Sequence, residues 1–68
     1  MNLSFLESLK GQKVIVHLDE GSTYHFDVTG VLTDVMNGDI VLTDAMIGYE
    51  KQDRVIFLSR FIVYVIPV

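Results

Sequence analysis

Cysteine is absent from the sequence and proline occurs once. No disulfide framework and no thiolate metal site can therefore supply stability, which has to come from burial and association. Basic residues are also scarce. Five Lys and Arg stand against nine Asp and Glu, a formal net charge of −4, the wrong sign for a protein that coats nucleic acid electrostatically. Any contact with RNA has to be local. Long apolar runs are missing too: the longest, Val55 to Val68, falls short of the ~20 residues a helix needs to cross a bilayer and is interrupted by Ser59 and Arg60. The N-terminus has no basic region followed by a long apolar stretch, so no signal peptide, no membrane partner and a cytoplasmic location are expected.

What the sequence does have is apolar surface. Half of its 68 residues are hydrophobic, whereas a chain this short buries only about 60% of the surface it exposes when unfolded. One domain over residues 1–68 is expected, with some apolar surface covered by another chain.

Ser4 and Glu7 have the spacing of a capping box, and Lys10 and Gly11 suit a helix C-terminus. They predict a helix over about residues 4–10 whose face is Phe5, Leu6 and Leu9. From Lys13 the period becomes two, with Val14, Val16 and Leu18 on one face and Lys13, Ile15 and His17 on the other. Asp19, Glu20 and Gly21 read as a three-residue hairpin loop. That loop pairs Leu18 with Ser22, Val16 with Tyr24, Val14 with Phe26 and Lys13 with Asp27. A long strand then runs from Thr23 to about Val35, with Gly30 as its bend. Asn37-Gly38 is a type I′ turn signal, pairing Val35 with Ile40 and Thr33 with Leu42; the pattern leaves open which face of this stretch is inside. Asp44 to Asp53 reads either as a loop or as a continuation of the flanking strands. Val55–Leu58 and Phe61–Ile66 are two nearly unbroken apolar strands, joined through Ser59 and Arg60 as a C-terminal hairpin, and Pro67 ends the second.

These elements predict an all-β fold, a small five-stranded, strongly bent antiparallel barrel over about residues 13–67 with a short N-terminal helix. Strands apolar on both faces need cover on both, and a barrel of this size has one interior. From Phe61 to Ile66 no charge guards the edge. Edge-to-edge pairing is a head-to-tail contact that closes into a ring when the rotation allows. Val55, Phe57, Phe61, Val63 and Val65 are the candidate contacts between copies.

The segments FLESLKG, KVIVHLDEG, GVLTDVMNGDIVLTDA and VIFLSRFIVYVIP together resemble the Sm-like family, RNA-associated rings that include the Hfq branch. The ending is closer to that branch, with Ser59 and Arg60 where it has a Lys-His pair near the pore and the Sm branch an Arg-Gly pair. The resemblance implies a homo-oligomeric ring, a hexamer or heptamer, in which Asn37 corresponds to the polar residue of the loop that holds a base. Met36 replaces the family's Asp, and no aromatic flanks Asn37.

An RNA site of this type needs a stacking group, an amide to read a base edge and a cation. Asn37, Ser59 and Arg60 are the candidate nucleic-acid-binding residues. Asn37 is sufficiently accounted for by turn geometry and Ser59 by its place in a turn; Arg60 fits either a tight turn or a pore ligand. His17 and His25 lack a third ligand and read as solvated strand residues, so no metal and no other cofactor is expected. No catalytic constellation is present, and the chain is not expected to be an enzyme. Three functions fit: a ring binding short single-stranded, uridine-rich RNA, a ring-forming assembly scaffold without RNA affinity, and a monomeric SH3-like interaction domain.

Overall fold

A computed structural model describes residues 3–19 and 25–68. Helix α1 (Leu3–Ser8) precedes strands β1 (Lys13–Asp19), β2 (His25–Met36), β3 (Asp39–Ile47) and β4 (Glu50–Phe57). A 3-10 turn, Ser59–Phe61, then leads into β5 (Ile62–Pro67). The strands form one antiparallel sheet in the order β4-β3-β2-β1-β5. It has the five antiparallel strands and strong bend that the sequence predicts, with the correction that the sheet is not closed into a barrel. β4 and β5 do not pair as a hairpin; they are the two ends of the sheet.

The helix begins at Leu3, so Ser4 lies in its first turn, and the Glu7 carboxylate is held by Lys10 at 2.9 Å. Leu6 and Leu9 are buried, but Phe5 is 50% exposed, so the apolar face is narrower than its spacing predicts. After Ser8 the chain tightens through Leu9 N–H to Leu6 O and Lys10 N–H to Glu7 O, and Gly11 takes φ +85°. Gly11 N–H then donates to Leu32 O at 2.7 Å, and Leu32 N–H to Gln12 O at 3.0 Å, stitching the helix end to β2. Lys10 also reaches Asp34 of β2 at 3.5 Å. The hydrogen bond it donates to Glu7 and the charges of Glu7 and Asp34 hold its ammonium above the usual lysine value.

The expected alternation is realised in β1, where Val14, Val16 and Leu18 are buried. Its register against β2 differs from the prediction. Val16 faces Val28, Leu18 faces Phe26 and Asp19 faces His25, so Asp19 belongs to the strand. Asp27 accordingly lies opposite His17, whose Nδ1 hydrogen-bonds the carboxylate, and Lys13 lies opposite Val31. The shift is four residues, an even number that preserves both faces and so leaves no trace in the alternation. Glu20 to Tyr24, which include the rest of the predicted turn and the partners Ser22 and Tyr24, lie outside the described residues.

Asn37 and Gly38 have φ of 54° and 88°, and Val35–Ile40 and Met36–Asp39 flank them, as a type I′ turn requires. Two bulges lie upstream. Asp44, at φ 50°, and Ala45 together oppose Gly30, and an extra residue at Thr33 restores the register, so Leu42 pairs with Leu32 instead of Thr33. The second bulge turns Leu32 and Val35 to the same side, where they join Ile40 and Leu42 in the core. Asp44 to Asp53 continues β3 and β4, turning at Gly48 and Tyr49.

At Gly30, opposite the first bulge, β3 approaches β2 closely. A Cβ there would stand 3.1 Å from the Ala45 Cα and the Thr43 carbonyl oxygen and 3.2 Å from the Leu42 Cβ. Two of these are backbone atoms that cannot swing aside. Gly30→Ala should therefore lower stability by about 1–3 kcal/mol. In urea unfolding it should lower the midpoint with little change in slope; a midpoint equal to the parent's would refute this role for Gly30.

Candidate nucleic-acid interface

The β2–β3 turn and the β4–β5 link meet at one end of the sheet, because Ile40 at the start of β3 pairs with Phe57 at the end of β4. Asp39 follows the turn directly. Its Oδ1 accepts the Ser59 backbone N–H at 2.7 Å, fastening the first residue of the 3-10 turn to β3. Asp39, Leu58, Ser59 and Arg60 line an open hollow of about 260 Å³ at this junction.

Of the three predicted binding residues, Ser59 and Arg60 line the hollow, and Asn37 stands exposed at the apex of the neighbouring turn. Arg60 is exposed and its guanidinium rests 4.9 Å from the centre of the Phe61 ring, a cation–π contact. Among the described residues Arg60 makes no ion pair. The hollow thus offers a planar cation on an aromatic support, a hydroxyl and a carboxylate. Sequence reasoning missed Asp39. Its signal was its place immediately after Asn37-Gly38, where a short polar acceptor reaches across to whatever pairs with the start of β3.

The apolar residues of the two edges divide by depth. Val55, Phe57, Phe61 and Val65 are partly buried against the core. Val63 is 54% exposed, as are Ile56 at 55% and Ile66 at 46%, which the sequence reading did not single out. Tyr64, also exposed, stacks on His17 with ring centres 4.8 Å apart and planes 7° apart. No group of three His, Asp or Glu side chains suited to a metal ion occurs among the described residues, and none of their helices is long and apolar enough to cross a membrane.

No family model matches the chain, and no curated protein matches it. Solved structures do. An Sm-like archaeal protein from Pyrobaculum aerophilum superposes with a TM-score of 0.82 at 33% identity, over 98% of this chain and 51% of that one. The present chain thus spans about half the length of that relative. A heptameric archaeal Sm protein gives 0.77 at 20% identity, over 96% of this chain and 97% of its own. A Pyrococcus abyssii Sm protein, solved in complex with a uridine heptamer, gives 0.79 at 19% identity, over 100% and 99% of the two chains. A bent five-stranded sheet behind an N-terminal helix, and a relative one-third identical along nearly the whole chain, lead to one conclusion: the protein is a divergent member of the Sm-like family.

Proposed function

We propose that the protein assembles with copies of itself into a ring and binds single-stranded RNA at the hollow formed by Asp39, Leu58, Ser59 and Arg60. The observation that carries the first half is the pair of open edges. β4 and β5 end the sheet on opposite sides, and each exposes apolar side chains: Ile56 on β4, Val63 and Ile66 on β5. An edge with free backbone groups and exposed apolar side chains is a template for another strand. Two different edges on one subunit make the contact heterologous, the geometry that closes into rings. The heptameric archaeal Sm neighbour supports this reading.

The second half rests on Arg60. It is exposed, braced on Phe61 and in no ion pair among the described residues, so its charge is available to phosphate or to the face of a base. The neighbour solved with a uridine heptamer supports RNA as the ligand class. The net charge of −4 and the Asp39 carboxylate inside the hollow favour a second reading, a ring that joins other proteins and has no RNA affinity.

Light scattering on the purified chain should give a mass several times 7.7 kDa. Val63→Glu, which places a charge on the β5 edge, should lower that mass while the β-sheet circular dichroism persists. A monodisperse 7.7 kDa parent species would overturn the ring and leave the monomeric interaction domain.

Titration with a mixed-sequence single-stranded RNA at low salt should show binding that weakens about tenfold or more in Arg60→Ala, the scale of one lost stacking or charge contact. Binding unaltered in Arg60→Ala would remove the hollow as the site. A ring that ignores RNA altogether would establish the scaffold reading.

A further inference from the structure

We infer that Asp39 makes the hollow selective for guanine among the bases, an inference that rests on the RNA-binding reading above. The Asp39 carboxylate commits one lone pair of Oδ1 to the Ser59 N–H. No other side-chain hydrogen bond or ion pair engages the Asp39 carboxylate among the described residues. An ionised carboxylate is acceptor-only, with about four lone-pair positions. Oδ2 and the second lone pair of Oδ1 therefore remain to accept in a half-buried wall of the hollow.

Single-stranded RNA is read on the exposed edges of its bases. Guanine's Watson–Crick edge sets two N–H donors side by side, N1–H and the 2-amino group. Uracil presents one donor between two carbonyl oxygens. Adenine and cytosine each set an amino group beside the lone pair of a ring nitrogen. A carboxylate facing guanine thus gains two charge-assisted bonds, whereas each other base brings at least one acceptor against it. The atom next to N1–H on guanine is the O6 acceptor, and the hollow's other charged member, Arg60, is donor-only. An arginine side chain of a protein would offer the same two donors to Asp39, but Arg60 in the same hollow repels a second cation and attracts phosphate. Between these two ligands, Arg60 therefore favours the nucleotide.

The test uses the full chain at low salt and three fluorescent hexanucleotides: alternating guanosine and uridine, alternating inosine and uridine, and uridine alone. Inosine keeps N1–H and O6 but lacks the 2-amino group. The guanosine RNA should bind roughly tenfold tighter than either of the others, the discrimination expected of one bidentate pair. Asp39→Asn still accepts the Ser59 N–H but converts half of the group to a donor, so it should lose the guanosine preference. Equal binding of the three RNAs by the parent, a preference for uridine, or an unchanged ratio in Asp39→Asn would overturn the inference. Should Asp39→Asn not fold, the inosine comparison decides alone. RNA binding that depends on Arg60 but ignores the base would remove this inference only. No binding to any of the RNAs, with or without capture of an arginine-rich peptide, would remove the RNA reading as well.

Discussion

The link between the last two strands is too short for a flat sheet, and the rest of the architecture follows from that. β4 and β5 stand four strand spacings apart in the sheet order, which at about 4.8 Å each would be roughly 19 Å if the sheet were planar. The chain crosses from Phe57 to Ile62, and the three residues of its 3-10 turn rise only about 2 Å apiece. The two ends of the sheet must therefore curl toward each other. Curling gives a chain this small a concave side on which to bury Leu6, Val14, Val16, Leu32, Ile40 and Leu42. It also leaves both end strands with unsatisfied outer edges.

A sheet bends that sharply only where its ladder is broken on purpose. The paired bulges, one at Asp44 and Ala45 and the other at Thr33, add a residue first to β3 and then to β2, so curvature is gained and the register recovered within a few residues. Gly30 lets the backbone of β3 approach closely at the first of them. The same recovery brings Val35 and Ile40 back opposite each other, which sets the type I′ turn and hence Asp39 beside Ser59. The hollow is thus a product of the bend: its acidic wall sits at the end of a register corrected twice, and its basic wall on the link that forced the bend.

Features governed by local chemistry were legible in the sequence. Gly11 at a helix end, the alternation of β1, the Asn37-Gly38 turn and the break at Ser59 and Arg60 each depend on a few adjacent residues. Register was not legible, because pairing β1 four residues further along β2 keeps every side chain on its own face. Nor was the compensating pair of bulges, since an inserted residue at Thr33 looks like ordinary alternation until its partner strand is known. The separation of β4 from β5 was hidden for a similar reason. A short polar break between apolar strands is also what a hairpin looks like, and the curl that allows the alternative is a property of the whole sheet. Asp39 was not legible as a site residue, because its role depends on Ser59, twenty residues away.

The electrostatics of the whole and of the hollow pull in opposite directions, and the proposed ring would reconcile them. A subunit carrying −4 repels phosphate at long range. One hollow with one exposed arginine offers a nucleotide a single stacking or charge contact, worth about 1–3 kcal/mol, which corresponds to weak binding on its own. Copies of the hollow arranged around an axis would meet successive nucleotides of one strand, so that after the first contact each further one forms at high effective concentration. Repulsion by the acidic body is screened beyond about 8–10 Å at ordinary salt, while contacts within the hollow operate below that distance. Such an assembly would ignore duplexes and bulk polyanion and respond to a short single strand able to thread its bases into several hollows at once. Selectivity would then arise from repetition of a weak, chemically particular site.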